Sequence, residues 1–435
     1  MLEERLYKIL KEECNMQVTT DSRNCPKGSM FIALKGDKFN GNKFAQQAID
    51  NGCAYALVDE DGYATSERII RVYDCLTVLQ RLAIDNHNAT RCNVLAITGT
   101  NGKTTTKELI AAVLKKKYKI IYTEGNLNNH IGVPLTMLRI RPEHDIAVIE
   151  MGANHPGEIK QLARIAEPTY GLITNVGKAH LEGFGSFEKL VQTKCELYDY
   201  LAHDIHSWAV LVDYENEILM KEARARFYFP ETYGTSKYAN TQGELIDSNP
   251  YMRFKVIDKK TFNETVIQTQ LVGAYNFKNA LAAVRVGQYF NIPIEDIAAA
   301  ISEYKPTNNR SQLTKTKSNS LIVDTYNANP TSMTASLENF SQMTASNKMV
   351  ILGDMRELGA SSAEEHQNIV DFLKEHDIND VWLVGNEFSK TNCDFRKFAD
   401  VTAVKETLKA EPQTGKTILI KGSNSMRLFE LPELL

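Results

Sequence analysis

Lys103 and Thr104 stand in the run Thr98-Gly99-Thr100-Asn101-Gly102-Lys103-Thr104-Thr105, directly behind the apolar stretch Val94-Leu95-Ala96-Ile97. These types at this spacing suit the grip of a polyphosphate. Gly99 and Gly102 let the backbone bend tightly and bring N–H groups against a ligand. A helix predicted from Thr104 to Lys117 turns its positive end to the same place. Lys103 adds a point charge, and the Thr104 hydroxyl is a ligand for Mg²⁺. The spacing G-x-x-x-x-G-K-[ST] is not met strictly, because Ile97 holds the first glycine's position. The loop is tighter, G-T-N-G-K-T, yet it sits between a strand and a helix as a nucleoside-triphosphate loop must.

Other residues reach chemistry through their place at predicted strand ends. Glu150 closes the strand Ile146–Glu150, and strand carboxyl ends line the ligand crevice of an open α/β sheet. A carboxylate there, beside a phosphate loop, is a natural Mg²⁺ ligand. The strand Gly171–Asn175 runs on to His180, which reads equally as a crevice residue or as a surface or capping histidine. Lys194 falls on the apolar stripe Phe187, Leu190, Val191, Leu197, Tyr198, Leu201 of a helix predicted over 186–201. The pattern alone favours a side chain that snorkels to the helix edge. The alternative is a buried amine of lowered pKa, which can react with CO₂ to give a metal-binding carbamate. Asn276, Lys278 and Asn279 open a later helix, and Arg310 lies near Pro306, where it can reach a phosphate. Asp324 ends another strand, ahead of Tyr326-Asn327-Ala328-Asn329-Pro330; each of these also has a cap or turn reading. Gly353-Asp354-Met355-Arg356-Glu357-Leu358-Gly359 reaches a crevice edge in the same way. Ser22 and Arg23 are a phosphate contact or a polar turn.

The elements that must position these groups fall into three units. Residues 1–85 hold short strands (29–34, 55–58, 69–72) and helices. Residues 86–305 alternate strand and helix, which implies a parallel sheet covered on both faces. A hairpin over 253–258 and 265–272 and helices 276–290 and 294–304 close this unit. Pro306-Thr307-Asn308-Asn309 reads as a linker. Residues 306–435 alternate again, with strands 321–325, 349–353, 381–385 and 417–421.

Composition excludes several classes. The chain has 435 residues, 43% hydrophobic and 24% charged, as in an ordinary globular protein of two or three domains. A net charge of −4 offers no field to recruit nucleic acid or an anionic membrane. No apolar run approaches the length of a bilayer span, and the start shows no signal-peptide core. Seven scattered cysteines without a C-x-x-C pair point to free thiols in a reducing cytoplasm. A guanine-reading N-K-x-D motif is missing from the sequence, which argues against a switch GTPase.

Together and in order, these motifs resemble the Mur ligase family of peptidoglycan synthesis over nearly the whole chain. The carriers are Gly99–Thr105, N-x-N-N-x-x-G-x-P at Asn126–Pro134, E-M-G at Glu150–Gly152, and Thr174–His180. They continue with K-x-E at Lys194–Glu196, Y-N-A-N-P at Tyr326–Pro330 and G-D-M-x-E-L-G at Gly353–Gly359. The last two resemble the branch that joins D-alanyl-D-alanine to a UDP-N-acetylmuramoyl-tripeptide. Two departures from that branch are Asn40-Gly41-Asn42 in place of D-G-H and Val323-Asp324-Thr325 in place of D-D-S.

The resemblance implies an α/β chain of three domains. These are a small N-terminal UDP-sugar-binding domain (1–85), a central P-loop parallel-sheet ATPase domain (86–305) and a C-terminal Rossmann-like ligase domain (306–435). It implies ATP and two Mg²⁺ ions, one on Thr104 and Glu150, the other on His180 and a carbamylated Lys194. Lys103, His180 and Lys194 would be catalytic. Asn279 would meet adenine, Asp324 the ribose and Arg310 the triphosphate. Ser22, Arg23, Asn128, Asn129, Tyr326 and Asn327 would meet the substrates. It further implies an acyl-phosphate route in a cytoplasmic monomer, without nucleic-acid partners or membrane insertion. A folylpolyglutamate-synthase-like ligase or another Mur branch is the alternative; the synthases lack a separate UDP-sugar domain, and the first 85 residues argue against them.

Overall fold

The computed structural model describes residues 2–178, 181–259, 263–306, 312–345 and 347–435. His180, Arg310 and linker residues 307–309 lie outside the described residues. The chain is α/β, built on three main sheets.

The first sheet is parallel, in the order Val18–Thr19, Met30–Ile32, Tyr55–Val58, Ile69–Arg71. Helix Cys75–Thr90 leads from it into the second sheet, capped by Asp74, whose side chain accepts from Thr77 N at 2.6 Å. That helix packs its apolar face into a core that also takes Val94, Ile149, Ile173 and Leu190. The first unit and one face of the central sheet therefore share one continuous core.

The central sheet has nine strands. Its parallel part places Asn93–Thr98 between Tyr170–Ile173 and Ile146–Glu150, with Ile120–Tyr122 at the edge. All of Ile146–Glu150 is buried, as expected of a strand covered on both faces. On the other side Ala209–Asp213 and Glu231–Gly234 continue in parallel. Then Thr241–Asp247, Tyr251–Ile257 and Glu264–Val272 finish the sheet, antiparallel to one another. The expected hairpin thus extends the main sheet. The strands at 231–234 and 241–247 have no apolar run to mark them in the sequence, the first being E-T-Y-G and the second T-Q-G-E-L-I-D.

The third sheet runs Gln312–Lys315, Ser320–Asp324, Thr417–Lys421, Lys348–Gly353, Val381–Val384, Arg396–Phe398, parallel except for its first strand. Asp324 and Lys421 are register partners, side by side at the carboxyl ends of neighbouring strands. This unit has its own two apolar clusters, one of which also takes Val272 from the central sheet and has Tyr251 of that sheet packed against it.

Candidate functional site

The triphosphate-type loop leaves the buried strand Asn93–Thr98 and enters helix Lys103–Leu114. Gly99 and Gly102 have φ of +141° and +77°, a region that side chains rarely adopt. A Cβ at Gly99 would overlap Thr174 Oγ1, and one at Gly102 would overlap Asn279 Oδ1. The loop is pinned to the next strand end: Thr100 N donates to Asn175 O at 2.9 Å, and Asn101 N donates to Asn175 Oδ1 at 3.0 Å. Lys103 Nζ donates to Gly99 O at 2.8 Å and Thr100 O at 3.0 Å, so its charge sits over the loop.

Glu150 is brought to the first helical turn by the pairing of its strand with Asn93–Thr98. Thr104 Oγ1 donates to Glu150 Oε2 at 2.9 Å and Asn128 Nδ2 to Glu150 Oε1 at 2.8 Å. The carboxylate is buried, at 2% exposure. Thr123 supports it: its Oγ1 accepts from Glu150 N, while its carbonyl accepts from the fully buried Lys107 at 2.5 Å. The donor set of carboxylate, hydroxyl and amide oxygens is hard, which fits Mg²⁺ better than a softer ion. Among the described residues no three His, Cys, Asp or Glu side chains gather to hold a metal. Mg²⁺ does not need them, since it is held by one or two carboxylates with substrate phosphates.

The loop, Glu150, Asn128 and Asn129 line a cleft of about 730 Å³ between the central and C-terminal units. Asn129 is also a cap, its Oδ1 accepting from Ile131 N and Gly132 N. Asn279 stands behind the loop, where its Oδ1 accepts from Thr106 Oγ1 and its Nδ2 donates to Asn276 Oδ1. The opposite wall carries Asp324, Tyr326, Asn327, Glu357 and Lys421. Lys421 is 1% exposed, and its Nζ donates to Asp324 Oδ2 at 2.5 Å. The motif at 353–359 divides: Glu357 faces the cleft, whereas Asp354 turns inward to accept from Glu387 N and Phe388 N at 3.0 Å.

Three family profiles match the chain. The Mur ligase family catalytic domain matches residues 16–87, the Mur ligase middle domain 97–287, and the Mur ligase glutamate ligase domain 309–424. The UDP-N-acetylmuramoyl-tripeptide–D-alanyl-D-alanine ligase of Bacillus subtilis is 35% identical over 430 residues, covering 95% of this chain and 92% of that protein. The chain belongs to the Mur ligase family. The MurF crystal structure from Acinetobacter baumannii superposes with a TM-score of 0.83 at 28% identity, covering 96% of this chain and 92% of that one. MurF ligase from Thermotoga maritima, solved in complex with ADP, shares the fold at a TM-score of 0.84 and 24% identity, each chain covered to 97%.

Mur ligases are ATP-dependent enzymes that form a C–N bond. In this Mur ligase Lys194 does not snorkel. It is 3% exposed, with its Nζ 3.5 Å from Ala153 O and 5.5 Å from the centre of the Phe184 ring. Apart from half-buried Phe187, the stripe it interrupts is buried, packed on helix Glu158–Ala166, strand Tyr170–Ile173 and helix Leu181–Phe184. Burial holds the Lys194 pKa down to about 7; the charge of Lys103 acts in the same direction, against Glu158 and Glu196. Glu196 caps helix Glu158–Ala166 by accepting from Gly157 N and Lys160 N. Ser22 and Arg23 are not among the cleft residues. Arg23 makes a two-pronged bond to Asp21 on the surface of the first unit, and Ser22 O accepts from Asn51 Nδ2. Lys421 is the site residue that sequence reading passed over. Its signal was the one that flagged Glu150, a charge closing an apolar strand, here Thr417-Ile-Leu-Ile-Lys421.

Proposed function

We propose that this chain joins the amine of D-alanyl-D-alanine to the terminal carboxylate of UDP-N-acetylmuramoyl-tripeptide, with cleavage of ATP to ADP and phosphate. The observation that carries this reading is the cleft. It sets a triphosphate loop and the Thr104–Glu150 pair against a second wall bearing Asp324, Tyr326, Asn327 and Lys421. The relatives that match across almost the whole chain are ligases of this name. The tripeptide carboxylate attacks the γ-phosphorus and ADP leaves, giving an acyl phosphate. The dipeptide amine then attacks that carbonyl carbon, loses a proton, and phosphate departs. No protein nucleophile is needed. The reactants are anions, so repulsion dominates the barrier, and Lys103 offsets it by charge and position. Closure of the units keeps water from the acyl phosphate.

Thr104 and Glu150 would hold one Mg²⁺, and His180 with a carbamylated Lys194 a second; bound Mg²⁺ neutralises developing charge on the phosphates. An amine of pKa about 7 supports the carbamate, because much of it is neutral near pH 7 and so nucleophilic toward CO₂. The neutral nitrogen bonds to carbon and loses one proton to give the anion; counted from the ammonium form, two protons leave and the side chain changes from cation to anion. Asn279 would meet adenine from behind the loop, Asp324 the ribose, and Arg310 the triphosphate. Residues 1–85, with Ser22 and Arg23, would hold the UDP-sugar, 86–305 the ATP and 306–435 the dipeptide. Asn128 and Asn129 would touch the tripeptide, and Tyr326 and Asn327 the dipeptide. The enzyme would act as a cytoplasmic monomer; no helix among the described residues is long and apolar enough to cross a membrane.

Tripeptide labelled with ¹⁸O in its terminal carboxylate tests the route. One label should pass into each released phosphate, because that oxygen bridges carbon and phosphorus in the acyl phosphate. Unlabelled phosphate would overturn it.

A further inference from the structure

Two asparagines from different units meet at the edge of the cleft. The backbone of Asn101 is held from the strand end beside it: its N–H donates to Asn175 Oδ1, and its carbonyl accepts from Asn175 Nδ2 at 2.9 Å and Thr174 Oγ1 at 2.7 Å. That grip turns the side chain toward the C-terminal unit, where Asn101 Oδ1 accepts from Asn329 Nδ2 at 2.8 Å. Asn329 is equally fixed. It is 5% exposed and caps helix Pro330–Gln342, its Oδ1 accepting from Ser332 N at 2.9 Å while its own N–H donates to Ser332 Oγ at 3.1 Å. Every polar atom of the Asn329 cap thus has a defined task, and the one that leaves the unit reaches the triphosphate loop. Tyr326 and Asn327 hang from the same short segment and face the cleft. Among the described residues, Lys178 with Glu365 at 3.3 Å and Ala274 N to Asn339 Oδ1 at 3.2 Å also join the two units, away from that loop.

We propose that Asn329 is a positioning residue for ligation. It latches the acceptor wall onto Asn101, so that the triphosphate loop and the segment bearing Tyr326 and Asn327 take their working places together. The inference rests on the cleft being the ligase site. Asn101 faces Asn329 only while the loop is wrapped between Gly99 and Gly102 and tied to Asn175. The Asn101–Asn329 hydrogen bond therefore transmits shape in the loop to the far wall. With the bond cut, the wall parts more often, and water competes with the amine for the acyl phosphate.

Asn329→Ser separates the latch from the cap. Serine is a good N-cap, so helix Pro330–Gln342 should hold, but its hydroxyl is too short to reach Asn101. A neutral hydrogen bond is worth about three- to tenfold. Asn329→Ser should lower kcat by about that factor, leave the KM for ATP within about twofold, and release more than one phosphate per amide bond formed. Asn101→Ala, which also alters the triphosphate loop and is judged without its KM for ATP, should likewise lower kcat and release more than one phosphate per bond, and the double variant should be no worse than the poorer single. Small-angle scattering with ATP and Mg²⁺ should give Asn329→Ser a larger radius than wild type. Wild-type kcat with one phosphate per bond in Asn329→Ser, or additive effects in the double variant, would overturn the latch. Should Asn329→Ser lose its circular dichroism and melting point, Asn101→Ala alone decides by the same readouts. A wild-type chain that ligates nothing would instead overturn the ligase reading, and the scattering comparison would still judge the latch.

Discussion

Replacing Lys194 with methionine should stabilise the central unit at mildly acidic pH and remove a pH dependence that wild type carries. The side chain is 3% exposed, and its Nζ donates to Ala153 O at 3.5 Å. Burial, aided by Lys103, brings its pKa from 10.5 to about 7. In the unfolded chain the pKa returns to its ordinary value, so the difference corresponds to roughly 5 kcal/mol. Between pH 7 and pH 10.5 the unfolded chain binds more protons than the folded one, and stability therefore rises with pH across that window. Below pH 7 both states carry the proton and the whole penalty is present; near pH 10.5 it has gone. Methionine has similar length and no charge, and it adapts to an irregular pocket. In CO₂-free buffer the variant should exceed wild type by several kcal/mol at pH 6, and the gap should close as pH approaches 10. Urea unfolding of the full chain, followed by hydrogen exchange in helix Phe187–His203, measures this. A gap that stays constant with pH, or a variant less stable than wild type at pH 6, would refute the burial of an ammonium at this position.

Three further outcomes are expected. Lys103→Ala should fold normally, with turnover lower by on the order of 10³-fold, since it removes one charge contact to the transition state; near-normal turnover in a folded variant would end its phosphate role. Lys194→Ala should be almost inactive and regain part of its activity with formate or acetate, while degassed wild type should slow and recover with bicarbonate; indifference to all of these would exclude the carbamate. Gly102→Ala should raise the KM for ATP at least tenfold, because its φ of +77° and the overlap with Asn279 Oδ1 both oppose a methyl group. A KM within twofold of wild type would show that neither the strained backbone nor the overlap matters for ATP.

The triphosphate loop was legible because its chemistry is local: strand, two glycines and helix follow one another in the chain. Glu150 was legible for a related reason, as a charge closing an apolar strand. Lys421 has the same signature but lies near the end of the chain, and its partner Asp324 is 97 residues away, so the pairing appears only with the register of the third sheet. Lys194 shows the limit of periodicity. The helical stripe placed it correctly on the apolar face, yet the choice between snorkelling and burial depended on how completely neighbouring elements cover that face. The strands Gln312–Lys315 and Arg396–Phe398 were missed because edge strands are short and polar. Asn329 was visible as a helix cap, but its second bond joins residues 228 apart and has no trace in the chain.

The continuous core beneath the first two units has a consequence for how such a chain can change. Leu6, Leu57 and Leu82 share one apolar cluster with Val94, Ile149 and Leu197, whereas the third unit closes its own clusters around Leu352 and Val384. A substitution that reshapes the first unit is felt by the sheet bearing the triphosphate loop, so those two units must drift together. The third meets them through polar contacts such as Asn329 with Asn101 and Lys178 with Glu365, and through Val272 and Tyr251 at one cluster's edge. It is therefore the unit freest to change shape without disturbing the sheet that bears the triphosphate loop.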